Sequence, residues 1–420
     1  MDLQQYELEH EQRLANARAH AATLELDEID VAHWDLMRFD TIWPYFERLR
    51  REAPVFRHER SIVGPYWSVT SYDQVKAVDI DAARFSSEPT IGLVAPEEQD
   101  EASSFISMDD PKHAQQRKTV APVAGPRNLA ALAPTIRQRV AAILDSLPVG
   151  EPFNWVERVS IELTTQMLAT LFDFPFEELY KLTRWSDIAT SPRKAGYWNT
   201  VEERDQALNE CLVRMAELRS ERVNQPPAHD LLSMLAHGES TRDMPPREFL
   251  GNLLLLIVGG NDTTRNSISG GVLAMNRWPE EFEKLKADRS KIPNAVAEII
   301  RWQTPLAFMR RTTTEDVELG GTVIPKGERV LMWYASGNRD DHVFENADEL
   351  KIDRANARQH LSFGYGIHRC MGNRVAELQL NILWEELLDR YSQIEVVGAP
   401  VRAISNFVRG YTQLPVVLHN

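Results

Sequence analysis

Between Pro246 and Arg277 the sequence runs for 32 residues with no interior proline, bounded by Pro245-Pro246 in front and Trp278-Pro279 behind. At 1.5 Å rise per residue a helix of that length spans roughly 48 Å, enough to cross a whole domain. Everything else has to pack around it. Its middle reads Gly259-Gly260-Asn261-Asp262-Thr263-Thr264, and two adjacent glycines cost a helix interior about 2 kcal/mol relative to alanines. A purely structural helix has little reason to keep them. Glycines here let the backbone lie close to a flat ligand, and a threonine hydroxyl can take a carbonyl of the preceding turn and open a local groove.

A second constraint is the stretch from Leu361 to Arg374, Leu-Ser-Phe-Gly-Tyr-Gly-Ile-His-Arg-Cys-Met-Gly-Asn-Arg. One cysteine, Cys370, sits among Phe363, Gly364, Gly366 and Gly372, and an amphipathic helical pattern starts behind it at Asn373. An isolated intracellular cysteine usually behaves as a small hydrophobe. A thiolate at the mouth of a helix is different, because the helix N-terminus favours the anion over the thiol. That arrangement suits an axial ligand of haem iron.

Composition excludes several classes. With 43% hydrophobic and 26% charged residues the chain can bury a large core. Two cysteines, Cys211 and Cys370, imply no disulfide framework and fit a reducing compartment. A net charge of −15 argues against generic nucleic-acid binding. The N-terminus is charged from Asp2 and lacks an apolar signal region, and the longest apolar run, Leu253 to Val258, is too short to cross a bilayer. A cytoplasmic protein without an integral membrane segment is expected.

In chain order, residues 1–30 form a polar N-terminal extension, read as a helical tail on the surface, and 31–420 a single catalytic domain. A short helix at Pro44–Glu52 leads into two β-rich runs, Val55–His58 and Tyr66–Val69, separated by the hairpin signal Gly64-Pro65. The same sheet is expected to take up Val317–Val323 and Arg329–Trp333. The loop over 86–107 is long enough to suggest contact with a ligand. Asp110 and Pro111 open a helix on which His113 and Arg117 share one face. Helical pattern over 151–224 breaks near 190–200, at Ser-Pro-Arg-Lys-Ala-Gly-Tyr-Trp (191–198). Glu298 and Arg301 lie three apart on a helix, a pair that if exposed is worth under about 1 kcal/mol.

Phe363, Gly366, His368, Cys370 and Gly372 together resemble the haem-thiolate signature of the cytochrome P-450 monooxygenases, and further family motifs follow in order over essentially the whole chain. The resemblance implies a mainly α fold with small β-sheets, in which haem b lies between the long central helix and the helix behind the cysteine loop. It implies Cys370 as metal ligand, with Phe363 and Gly372 beside it, and His113, Arg117, Arg311 and His368 as contacts of the haem propionates. Asp262 and Thr263 correspond to the catalytic acid–alcohol pair that holds water and delivers protons for O–O cleavage. Leu256, Gly259, Leu306, Ala307, Phe308 and Met309 would line the substrate pocket. Glu298, Arg301 and Arg354 would form a buried structural network, followed by an ordered segment at 335–340, and residues 191–198 would belong to a lid. Asn261, where many members carry an apolar residue, departs from the pattern.

The closer likeness, carried by residues 191–198, 259–267 and 305–312, is to soluble bacterial hydroxylases of terminal positions on medium-chain alkanes and fatty acids. It implies dioxygen as co-substrate and electrons from NAD(P)H through a ferredoxin reductase and a ferredoxin, which would dock near Lys112, Lys118, Arg127 and Arg374. Hydroxylation of another hydrophobic substrate, a terpenoid or steroid, is the alternative. A non-catalytic haem-thiolate sensor has no need of Asp262 and Thr263, and a peroxygenase would replace that pair.

Overall fold

The computed structural model describes residues 1–93 and 103–420. The first half of the chain supplies α1 (Leu3–Thr23), α2 (Trp34–Arg38), α3 (Trp43–Glu52), α4 (Tyr72–Ile80), α5 (Lys112–Val120), α6 (Pro126–Asp145), α7 (Glu162–Phe172), α8 (Tyr180–Thr190) and α9 (Val201–Val223). The second adds α10 (Leu231–His237), α11 (Pro246–Arg277), α12 (Pro279–Ala287), α13 (Ile292–Gln303), α14 (Tyr334–Gly337) and α15 (Asn373–Arg390). Strands are short, from β1 (Val55–His58), β2 (Tyr66–Val69), β3 (Phe85–Ser86) and β4 (Phe153–Asn154) to β5 (Met309–Thr313), β6 (Val317–Leu319), β7 (Thr322–Ile324) and β8 (Arg329–Met332). The C-terminal strands are β9 (Gln393–Val396), β10 (Val401–Arg402), β11 (Tyr411–Gln413) and β12 (Pro415–His419).

Helix α11 has the bounds its flanking prolines predict, and its two halves serve different cores. Phe249, Leu253, Leu256 and Ile257 pack with α8, α9 and α10. Ile268 and Val272 to Met275 pack with α6, α7, α13 and α15. The segment between them, Val258 to Thr264, belongs to neither cluster. Within that middle Asn261, Asp262 and Thr264 are buried, while Gly259 is exposed and Thr263 half-buried, so one side of the helix stays open.

The main sheet has the order β1-β2-β8-β5-β3, with β2 and β8 parallel and the other neighbours antiparallel. Strands β1 and β2 have the residues expected, and Arg329–Met332 joins them. Residues 317–323 do not. They form a separate hairpin, β6 on β7, because Gly320 and Gly321 at φ 57° and 79° turn the chain back within two residues. Strands β4, β12 and β9 make a three-stranded sheet near the C-terminus that no sequence pattern announced.

The N-terminal segment is docked rather than loose. Tyr6, His10, Ala17 and Ala21 share one buried face of α1, and half of that face is alanine, so the amphipathic signal in the sequence is weak. His10 lies 3.6 Å from the buried Asp40 carboxylate, which also pairs with Arg402 at 2.6 Å. Arg48 donates to the carbonyls of Ala21 and Leu24.

Acid is expected to weaken the fold. Burial lowers His58 to about 4 and His360 to about 3, and Nδ1 of His360 accepts from the Ser362 N–H, which the protonated ring could not do. Both folded values lie below the unfolded one of about 6.5, so this stability is present above pH 6.5 and is lost as pH falls through the window towards 4. Asp187 has the opposite sign, since burial raises it to about 6 and its cost grows as pH rises from about 4 to 6. Burial also lowers His10 and His368 and raises Asp79, so four histidines stand against two carboxyls, and the urea midpoint at pH 5 is expected below that at pH 7; equal midpoints would contradict the assignment.

Candidate active site

The cysteine loop is shaped from both sides. Cys370 N–H donates to the Phe363 carbonyl at 2.7 Å, closing the loop on itself. Gly364 and Gly366 take φ 64° and 65°, and a Cβ on Gly366 would come within 2.5 Å of the Asp79 carbonyl oxygen. These glycines therefore serve the contact with the end of α4. Gly372 is different, because a Cβ there would meet nothing within 4 Å. Cys370 keeps accessible surface although protein crowds around it. Burial raises the thiol, while the N–H groups of Gly372 and Asn373 and the charges of Arg117 and Arg369 pull towards the thiolate.

Behind the loop, Glu298 and Arg301 are both fully buried and joined by two hydrogen bonds of 2.8 Å. Arg354 adds a 3.0 Å contact to the same carboxylate. Arg301 also donates to the carbonyls of Asn338 and Ala347. The Asn338 side chain passes the support on, accepting from the Leu361 N–H at 2.6 Å and donating to Ser362 Oγ at 2.9 Å. The expected network thus reaches the residues immediately before Phe363, and Asn338 is the link.

In the middle of α11 the two adjacent glycines have separate tasks. Gly260 allows close packing on α7, where a Cβ would lie 2.7 Å from Leu168. Gly259 is exposed between buried stretches, with nothing within 4 Å of a Cβ position. Thr263 Oγ1 donates to the Gly259 carbonyl at 2.9 Å, the groove-opening bond the sequence suggested. Asn261 is accounted for by packing, since it accepts from Thr164 Oγ1 at 2.9 Å inside the α7 contact.

Asp262 is fully buried and heavily held. Its carboxylate pairs with Arg265 and accepts from Ser186 Oγ at 3.0 Å and Thr190 Oγ1 at 3.3 Å. Arg265 in turn reaches Asp187 at 2.9 Å. Burial raises the Asp187 carboxyl to about 6, against the pull of Arg265 and with the push of Asp262. The same three charges act on Tyr197 in the 191–198 segment. Asp187, Arg265, Ser186 and Thr190 escaped the sequence reading; the one local clue is the Asp262–Arg265 spacing of three.

His113, Arg117, His368 and Arg311 do come together. The rings of His113 and His368 lie 4.2 Å apart. Burial lowers His368 to about 3, with the charges of Arg311, His113 and Arg117 adding to the effect. Asp110 Oδ1 holds His113 Nδ1 at 3.0 Å and caps α5 at the Ala114 N–H. Among the described residues, Nε2 of His113 and both ring nitrogens of His368 are buried without a hydrogen-bond partner. Buried polar nitrogens among cationic groups call for an anionic acceptor. Two propionates meet that need, so the residues fit haem.

Two pocket residues are corrected. Ala307 and Phe308 have no accessible surface; the Phe308 ring packs against Trp333 and Phe407 at 4.9 and 5.4 Å. Backbone bonds from Ala307 N–H to Phe407 and from Ala335 N–H to the Ala307 carbonyl fix this orientation. They back the wall and do not line it. Leu306 and Met309 keep surface, as do Gly259 and, slightly, Leu256. The 86–107 loop is tied at both ends, Ile91 to the Arg310 N–H and Phe105 N–H to Asn252; its central part, 94–102, lies outside the described residues.

The cytochrome P450 family model matches residues 143–406. The chain belongs to the cytochrome P450 family. Linalool 8-monooxygenase of Pseudomonas putida is 34% identical over 94% of this chain and 99% of its own length. Methyl-branched lipid omega-hydroxylase of Mycobacterium tuberculosis is 32% identical over 88% of this chain and 90% of its own. Among solved structures, cytochrome P450-153 from Novosphingobium aromaticivorans superposes with a TM-score of 0.85 at 46% identity, covering 93% of this chain and 99% of that one. This P450 is accordingly a monooxygenase with the P450 fold, and its family implies a haem-thiolate cofactor. Among the described residues no helix is long and apolar enough to cross a membrane.

Proposed function

We propose that this P450 uses haem b to hydroxylate the terminal methyl group of a medium-chain alkane or fatty acid. The observation that carries the reading is the opened middle of α11, where Thr263 Oγ1 takes the Gly259 carbonyl and a Cβ on Gly259 would meet nothing within 4 Å, while the apolar Leu306 and Met309 keep accessible surface. Likeness to the methyl-branched lipid omega-hydroxylase supports the terminal position. Terminal C–H bonds are the hardest to attack, so the protein's task is to present the methyl group alone.

Haem bound through Cys370 supplies the dioxygen chemistry, the sulfur pushing electron density that favours O–O cleavage. His113, Arg117, His368 and Arg311 would hold its carboxylates. Thr263 holds a proton at Oγ1 in its bond to the Gly259 carbonyl, and Asp262, beside it in sequence and tied to Arg265, would be the acid of the pair. Thr263→Ala is expected to leave oxygen consumption running, while product per dioxygen falls about tenfold and hydrogen peroxide makes up the difference. Full coupling in that variant, measured by product and peroxide yields, would remove Thr263 from the relay.

Electrons would come from NAD(P)H through a ferredoxin reductase and a ferredoxin, placing the protein in the cytoplasm. Two cysteines cannot hold an iron–sulfur cluster of four thiolates, and Cys211 is buried with its thiol raised. All four basic residues considered for docking, Lys112, Lys118, Arg127 and Arg374, are exposed, and Lys112 also pairs with Glu248 at 2.6 Å. Likeness to linalool 8-monooxygenase and to steroid C26-monooxygenases keeps a terpenoid or steroid substrate as the second reading. Mass spectrometry of products from octane, decanoic acid, linalool and a steroid decides between them. Terminal alcohols from the first two support the proposal, and turnover of the latter two alone rejects it.

A further inference from the structure

The last turn of α4 carries a buried carboxylate that no motif accounts for. Asp79 is 2% exposed, and each of its oxygens is engaged. Oδ1 accepts from Arg311 at 3.0 Å. Oδ2 accepts from the Tyr365 N–H at 2.6 Å and from Tyr334 Oη at 3.1 Å. The two glycines flanking Tyr365 are moulded around the same residue, since a Cβ on Gly364 would lie 3.0 Å from Asp79 Oδ2 and one on Gly366 2.5 Å from its carbonyl oxygen.

This contact joins two parts of the site that are far apart in sequence. Arg311 belongs to the cationic group around His368, and Tyr365 belongs to the cysteine loop. A carboxylate that binds both fixes where the arginine points and where the loop sits relative to it. Its charge also offsets that of Arg311, and burial, which raises the Asp79 carboxyl, is opposed first by that arginine. A surface acid would do none of this. Its neighbour Asp81, partly exposed, only reaches Arg84.

We propose that Asp79 is a positioning residue for the cofactor, aiming Arg311 at the haem propionates and fastening the cysteine loop in the same contact. The proposal rests on the reading of Arg311 as a propionate contact. The test compares Asp79→Asn, Arg311→Gln and the double variant in the haem-loaded protein, by the rate of haem transfer to apomyoglobin and by the haem midpoint potential. Asp79→Asn is expected to speed haem loss about tenfold, equivalent to about 1.4 kcal/mol, and to move the potential positive, because the guanidinium loses its counter-charge. The double variant is expected to lose haem more slowly than the product of the two single effects, since the part of Asp79's role that runs through Arg311 is already gone in Arg311→Gln.

Haem loss at the parent rate with an unmoved potential in Asp79→Asn overturns the proposal, and so does a double variant whose effect is the product of the two singles. If Arg311→Gln itself leaves haem loss unchanged, the propionate reading fails and takes the proposal with it. If Arg311→Gln is strong while Asp79→Asn is silent, only the proposal fails. Should Asp79→Asn not fold, Tyr334→Phe removes one donor from the carboxylate, and a two- to threefold faster haem loss supports the role, whereas none rejects it.

Discussion

Replacing Cys370 by serine is expected to leave the polypeptide folded and to remove the long-wavelength absorption of the reduced, carbon monoxide-treated protein. Serine keeps the size of the side chain and leaves intact the backbone bond from residue 370 to the Phe363 carbonyl. The unfolding free energy of the haem-free protein, from urea titration, should therefore change by no more than about 0.5 kcal/mol, the ordinary range away from packed groups. Catalysis has no such tolerance. A hydroxyl is a far weaker anion than a thiol and gives little of the electron donation that O–O cleavage needs. Hydroxylation should fall by roughly 10³ or more, about 4 kcal/mol of lost transition-state stabilisation. Product formation at a tenth of the parent rate would mean that the sulfur is not the ligand.

The second large effect is expected from Glu298→Gln. This carboxylate is wholly buried and serves Arg301 and Arg354 together, besides accepting from the Lys351 N–H at 3.0 Å. Removing its charge strands two buried guanidinium groups, and breaking a buried pair in this way costs about 3–5 kcal/mol. The damage should travel through Asn338 to Leu361 and Ser362, and so to the cysteine loop. The expected result is a chain that unfolds at lower urea and purifies with a much lower haem-to-protein ratio. Should the variant retain a full complement of haem, the network would be a local ion pair with no bearing on the loop.

Much of this site could be read in advance because its residues are close in sequence and chemically unusual where they stand. Cys370 within its glycines, the Gly259-Gly260 pair in a helix and Glu298 three before Arg301 each announce themselves in a few positions. The cluster around His368 was harder. His113 and Arg117 look like an ordinary helix face, and only the approach of His113 to His368 at 4.2 Å makes them part of a site. Phe308 was misplaced because a short apolar run does not say which side of a strand faces the pocket; the Trp333 and Phe407 rings decided that. The hairpin over 317–324 was misplaced because strand-forming residues pair with whatever the turn brings near, and here Gly320 and Gly321 bring them onto themselves.

The amino-acid sequence by itself determined the length of α11, the glycine-boxed cysteine loop, the Glu298–Arg301 pair and the family to which they point, because each depends on neighbours within a few residues. Tertiary structure alone decided the partners of the buried charges. Asp262 with Arg265 and Asp187, Asp40 with Arg402, and Asp79 with Arg311 and Tyr365 are all carboxylates that in sequence look like solvated surface acids. A charge can leave water only where an opposite charge or several donors meet it, and which groups arrive there is fixed by the packing of distant helices and strands.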